Sequence, residues 1–207
     1  MAVKSLKQKH VEVGVRERRD NWDLRKRVDQ MGPDERAWAL LTDWQTGIGN
    51  RRAWDEREPL PVQVALDVDN LKAMNDRWGH DAGDALLAAV CRALEQAGVV
   101  PYRIGGDEFA CQFNDQDEAF RCLQRANSIL RQFSFSWLDT FGTRWTGRGA
   151  GFSAGVGLTA RDAERSLLWV KKVRERLGLR ARRGRLSPLF KVAGVQTWPS
   201  WLRRIVG

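Results

Sequence analysis

No apolar run in this chain approaches the roughly eighteen residues that a membrane span needs, so no transmembrane segment is expected. Nor do residues Met1–His10 contain the apolar centre of a secretory leader, which points to a cytoplasmic protein. Cysteine is scarce. Cys91, Cys111 and Cys122 stand apart in apolar-periodic segments, without the spacing of a zinc site or a disulfide framework. They read as reduced thiols packed in a core. Internal repeats and low-complexity segments are also missing, which excludes a repeat array.

What is present suffices for one domain with extensions at its ends, since 207 residues can bury a substantial core. The net charge of +9 is unevenly placed. Residues 1–30 carry nine Lys/Arg against five Asp/Glu, and residues 171–207 eleven against one, so the middle of the chain is net acidic. An acidic body with basic ends suits a phosphate-rich ligand, a nucleic acid or an anionic membrane surface, and charge alone does not choose. Ten tryptophans are many for this length. Trp38, Trp54 and Trp169 fall where a core or interface would use them. Trp198-Pro199-Ser200-Trp201-Leu202-Arg203-Arg204-Ile205 instead interleaves aromatics with arginines. That segment suits a membrane surface, a partner, or docking back onto the domain.

The periodicity predicts a polar arm over residues 1–33, closed by Met31-Gly32-Pro33-Asp34, and a helix from Asp34 through Thr42. A strand at 62–67 leads to a short helix near Asn70–Asp76. An amphipathic helix from Asp81 follows, with Leu86, Leu87, Val90, Leu94 and Ala97 on one stripe. A hairpin over 100–113 comes next, then a helix with Phe120, Leu123, Ala126, Leu130 and Phe133 on one face. Residues 134–149 are ambiguous and read as an irregular strand pair. A strand at 151–158 and a helix over 161–177, carrying Ala163, Leu167, Val170, Val173 and Leu177, complete the order. This β-α-β-β-α-β succession is the ferredoxin-like arrangement, an α/β (α+β) fold with a mainly antiparallel sheet flanked by helices.

Chemistry concentrates at Gly105-Gly106-Asp107-Glu108-Phe109. Two β-prone runs joined by Gly-Gly predict a two-residue primed turn, with positive φ at its centre and an acidic residue directly after it. Asp67 and Asp69 close the apolar run Val62-Gln63-Val64-Ala65-Leu66, and alternation puts both carboxylates on one face. Carboxylates at two strand ends suit Mg²⁺, which takes oxygen ligands and holds phosphates through one or two acidic side chains.

These residues resemble the GGDEF domain of diguanylate cyclases over roughly Asp43 to Arg185. The stretch from Asp67 to Asp84 is similar to the family's D-x-D-x-F-K-x-x-N-D-x-x-G-H-x-x-G-D, with Leu71 in place of Phe. Asp43-Trp44-Gln45-Thr46-Gly47-Ile48-Gly49-Asn50-Arg51-Arg52 resembles its D-x-L-T-G-L-x-N-R-R, and Ser153-Ala154-Gly155-Val156 its S-x-G-V strand. The resemblance implies a palm-type core in residues 34–186, with the basic arm before it and a basic, tryptophan-containing tail over 187–207. It implies condensation of two GTP into cyclic di-GMP and pyrophosphate by facing domains of a homodimer, dependent on two Mg²⁺ per site, with Mn²⁺ as the alternative.

By the same resemblance Asp67, the Val68 carbonyl and Asp107 hold metal, and Glu108 assists a metal or the attacking hydroxyl. Strand alternation would point Glu108 away from Asp107, so the two would not duplicate one role. Asn75 and Asp84 read guanine. Asn70 and Leu71 amides with Lys72 meet phosphate beside the turn of Gly105 and Gly106. A late A-K-x-x-G-R motif has its nearest match in Ala181-Arg182-Arg183-Gly184-Arg185, which makes Arg182 and Arg185 the phosphate candidates. The inhibitory R-x-x-D of many family members falls on Gln96, Ala97, Gly98 and Val99, so product feedback through that site is expected to be absent. Two other readings stay open: a module that binds GTP or a cyclic dinucleotide without turnover, and a palm-type cyclase making another cyclic oligonucleotide. Nucleic-acid binding by the basic ends could accompany any of them.

Overall fold

The computed structural model describes residues 30–148 and 150–176, together with the backbone of 190–192. Its elements in chain order are α1 (Pro33–Leu41), β1 (Gly49–Asn50), α2 (Arg51–Glu56), β2 (Val62–Val68), α3 (Leu71–Trp78), α4 (His80–Gln96), β3 (Tyr102–Arg103) and β4 (Glu108–Phe113). There follow α5 (Gln116–Gln132), β5 (Ser134–Leu138), β6 (Arg144–Arg148), β7 (Phe152–Gly157), α6 (Ala160–Arg176) and β8 (Phe190–Val192).

The strands form a sheet of order β1-β3-β4-β2-β7-β8. Within it β3, β4, β2 and β7 are mutually antiparallel, which is the ferredoxin-like core expected from the element order. Short parallel pairings add β1 at one edge and β8 at the other. Three residues of the basic tail thereby join the sheet. The ambiguous segment after α5 is a separate two-stranded antiparallel ribbon, β5–β6, held by Trp78 of α3 against Trp137 and Trp145.

All seven residues of β2 are buried, because helices cover the central strand on both faces. Val62, Val64, Leu66 and Val68 join Leu86, Leu87, Val90 and Leu94 of α4 and Leu123, Ala126 and Leu130 of α5 in the main core. Each such fully buried aliphatic side chain stabilises the fold by about 1.5–3 kcal/mol relative to exposure. Ala65 faces the other way and packs with Ala163 and Leu167 of α6. The predicted stripe on α4 is thus the buried one, as are Ala163, Leu167, Val170 and Val173 on α6, while Leu177 lies outside the described residues. Cys91 and Cys111 are buried and Cys122 half-buried, all three as free thiols, and burial pushes the Cys91 thiol up to about 12.

Close contact between α6 and the sheet depends on β7. A Cβ on Gly155 would lie 2.2 Å from both the Ala163 carbonyl oxygen and the Leu167 nitrogen, and one on Gly157 would lie 2.5 Å from the Ala163 nitrogen. Only a bare strand surface lets the α6 backbone come this near. That approach brings the last turns of α6 over the end of β2.

Candidate active site

Asp67 is the penultimate residue of β2, register-paired with Glu108 of β4 on one side and Ser153 of β7 on the other. Its side chain shares the Ala65 face, toward α6. Lys171 Nζ lies 2.5 Å from Asp67 Oδ2. One helical turn on, Arg174 Nη1 lies 2.5 Å from Asp69 Oδ1 and also donates to Ser153 Oγ, while the Ser153 hydroxyl donates to the same Asp69 oxygen at 2.9 Å. Asp67 and Asp69 therefore do share a face, as alternation requires.

Burial pushes the Asp67 carboxyl above its ordinary value, opposed by Lys171's hydrogen bond and charge, while the charges of Asp107 and Asp69 push it further up. The Asp67 carboxyl thus feels the charges of Asp69 and Asp107 at the adjoining ends of β2 and β4. The Val68 N–H donates to the Asp107 carbonyl at 2.9 Å, which fixes the start of β4 against the end of β2.

The turn between β3 and β4 corrects the sequence reading. Arg103 pairs with Phe109, leaving five residues between them, and neither Gly105 nor Gly106 has positive φ. The connection is therefore not a two-residue primed turn. Ile104 and Gly105 N–H groups donate to the Glu108 carbonyl, and the Arg103 guanidinium donates to the carbonyls of Gly105 and Gly106. A side chain supplies the closure that the dipeptide was expected to supply by itself. Gly105 is required by space: a Cβ there would sit 2.6 Å from Glu108 Oε2. Glu108 is exposed, stands directly across from Asp67 on the same face of the sheet, and leans over Gly105.

Asn70 adopts a left-handed conformation (φ 65°) directly before α3. Left-handed Asn70 followed by helical Leu71 turns successive N–H groups to one side, the geometry of an anion-receptive nest. Lys72 points outward, 90% exposed, 3.7 Å from Asp76 one turn on. Behind them Asn75 packs on Gly83. A Cβ at Gly83 would fall 1.9 Å from Asn75 Oδ1 and 3.1 Å from Leu71 Cδ1, and that Asn75 oxygen is buried without a hydrogen-bond partner. Asp84, next along α4, accepts from Gln45 Nε2.

The structure thus brings Asp67, Val68 and Asp107 together, with Glu108, Gly105 and Gly106 beside them, and sets Asn70, Leu71, Asn75 and Asp84 around the start of α3 and α4. Arg182 and Arg185 lie outside the described residues. In their place the sequence reading missed Lys171 and Arg174, whose spacing of three on α6, each directly after a buried valine, was the available signal. Among the described residues no three Asp, Glu, His or Cys side chains converge closely enough to hold a metal by themselves. No helix there is long and apolar enough to cross a membrane.

Comparison with known proteins supplies the family and the fold. Residues 40–185 match the family described as diguanylate cyclase, GGDEF domain, and the chain belongs to that family. Over 80 residues it is 38% identical to diguanylate cyclase VdcA of Vibrio cholerae, covering 34% of this chain and 24% of that protein. Over 107 residues it is 37% identical to the cyclic di-GMP phosphodiesterase PdeB of Shewanella oneidensis, covering 46% of this chain and 12% of that protein. The chain thus spans well under two thirds of the length of these relatives. The GGDEF domain of DgcB from Caulobacter crescentus, solved in complex with c-di-GMP, has the same fold, with a TM-score of 0.55 and 20% identity over 75% of this chain and 96% of that one.

Proposed function

We propose that this chain is a diguanylate cyclase domain that joins two GTP molecules into cyclic di-GMP and releases pyrophosphate, each domain of a facing pair holding one GTP. The observation that carries this reading is the pairing of Lys171 with Asp67 and of Arg174 with Asp69 over the end of β2, where the Val68 N–H also holds the Asp107 carbonyl at the start of β4. Such a site offers carboxylates for a hard cation and cations for phosphate oxygens side by side.

The donor set fits Mg²⁺. Two carboxylates and a backbone carbonyl are all oxygen, and Mg²⁺ is commonly bound by one or two carboxylates completed by substrate phosphates and water. Asp67, Asp107 and the Val68 carbonyl would hold it. When bound, the metal neutralises phosphate charge and stabilises the attacking and leaving oxygens. The chain's own groups bind and orient. Lys171 exchanges Asp67 for a phosphate oxygen as the triphosphate enters, and Arg174 keeps Asp69 turned toward Ser153. The amides of Asn70 and Leu71 receive phosphate, and Glu108 borders the reacting hydroxyl. Asn75 and Asp84 face the base: the unpartnered Asn75 oxygen and the Asp84 carboxylate are acceptors that suit the N–H donors of guanine.

Gln96 to Val99 offer neither the arginine nor the aspartate of the inhibitory pattern, so the product does not restrain the enzyme through that site. A second reading, binding of GTP or cyclic di-GMP without turnover, is favoured by one observation: a stretch this similar also occurs in a protein named as a phosphodiesterase. Incubation of the purified chain with Mg²⁺ and GTP, or ATP, followed by mass identification of products, separates the readings. Cyclic di-GMP from the native chain and none from Asp107→Ala supports the cyclase. Binding of GTP without product overturns it in favour of the binding module, and a product from ATP favours a cyclase of another oligonucleotide.

A further inference from the structure

Gln45 stands where the family pattern D-x-L-T-G has leucine, and it is tied into the base end of the site. Its Oε1 accepts from Arg103 Nη1 and its Nε2 donates to Asp84 Oδ1. A guanidinium has only donors, so contact with Arg103 fixes the amide: oxygen toward Arg103, NH₂ toward Asp84. Arg103 is itself held. Its remaining N–H groups reach the carbonyls of Gly105 and Gly106 and, at 3.2 Å, Asp43 Oδ1. Asp43 in turn accepts from the Thr46 N–H at 2.9 Å and the Thr46 hydroxyl at 2.6 Å. A continuous line of hydrogen bonds therefore runs from the Gly105–Gly106 turn, through Arg103 and Gln45, to Asp84.

We propose that Gln45 is a positioning residue for base recognition: its amide, held by Arg103, sets the plane of the Asp84 carboxylate. This rests on the reading of Asn75 and Asp84 as the groups that face guanine. Without the donor, the Asp84 side chain on the first turns of α4 loses one of the contacts that orient it before the base arrives. With it, more of that ordering is done beforehand, and preorganised groups bind more tightly. Leucine at position 45 could not donate to this carboxylate. In this chain a polar contact contributes to that orientation.

Two variants separate this role from a merely structural one. Gln45→Leu removes both bonds. Gln45→Glu keeps the acceptor for Arg103 but sets a like charge against Asp84. Calorimetric titration with α,β-methylene GTP, α,β-methylene ATP and pyrophosphate, with Mg²⁺ present, reads base and phosphate binding without turnover. Gln45→Leu should bind the guanine analogue about tenfold more weakly, the scale of one hydrogen bond to a charged group, and Gln45→Glu more weakly still. The adenine analogue and pyrophosphate should be unaffected in both. A guanine-to-adenine affinity ratio unchanged in both variants overturns the proposal, as does an equal loss for all three probes, which would mark a structural role. A wild-type chain with no preference for the guanine analogue would instead overturn the base-site reading beneath it.

Discussion

Lys171 and Asp67 meet at 2.5 Å, joining the last turns of α6 to the end of the fully buried strand β2. Asp67 is the more enclosed partner, its side chain 11% exposed against 42% for Lys171. A cation that can swing out beside a carboxylate that cannot is well placed to hand its charge to an incoming phosphate.

Lys171→Met tests that exchange, since it keeps the apolar stem and removes the charge. Affinity for GTP should fall about 10- to 100-fold, the scale of a lost charge-assisted hydrogen bond. Titration with GTP analogues and with pyrophosphate should show the same loss for each, because the lysine reads phosphate and not base. A loss confined to guanine nucleotides would refute the assignment.

The pH response of Asp67 follows from its burial, the largest cause of its raised pKa. A carboxyl that holds its proton more tightly in the folded state contributes stability that is whole below its ordinary pKa of 3.8 and is lost as pH rises through the raised value. Above that range the ionised group destabilises the fold, and Lys171 offsets only part of this. Asp67→Asn should abolish product formation yet melt at a higher temperature than the native chain near neutral pH without metal. The gap should narrow on acidification. Thermal scans across the acid range check it, and a gap independent of pH would contradict it.

Gly83→Ala would drive a methyl group into the Asn75 amide, with Leu71 Cδ1 on its other side. The helix itself tolerates alanine, so the cost is overpacking, about 1–3 kcal/mol. Guanine binding should fall sharply while pyrophosphate binding survives. Intact discrimination between guanine and adenine nucleotides in this variant would remove Asn75 from the base subsite.

Gly155→Ala acts at a distance from every ligand. Its methyl meets backbone of α6, which cannot rotate aside as a side chain can. The helix must lift, carrying Lys171 and Arg174 away from Asp67 and Asp69. We expect a stability loss of about 2 kcal/mol or more by urea denaturation, together with weakened pyrophosphate binding. Native affinity in the destabilised protein would show that the helix shifts without moving its cations.

How much of this was legible beforehand varied with the kind of signal. Asp67 was legible as a strand end because it closes an apolar run, Asp107 as a turn carboxylate because it follows Gly105-Gly106 between two β-prone runs, and the stripe from Leu86 to Leu94 because its period is that of a helix. Lys171 and Arg174 were overlooked in favour of arginines beside Gly184. Their importance depends on how far α6 overlaps β2, which Gly155 and Gly157 settle through space. The Gly-Gly turn was misjudged because a dipeptide says nothing of the Arg103 side chain that folds back to hold its carbonyls. Gln45 was passed over as one residue within a family motif, and its contact with Asp84, 39 positions away, is invisible to any local pattern.

Asp67 is backbone-paired on both flanks, whereas Asp107 lies just outside β4, in the turn. The two halves of the acidic site therefore belong to parts of the molecule with different mechanical character. Amide hydrogens around Asp67 should exchange with solvent only when the central sheet comes apart, and those of the turn through local opening. The site is built like a vice with one fixed jaw: β2 sets the reference position, and any adjustment to a ligand would fall to the loop held in the grip of Arg103.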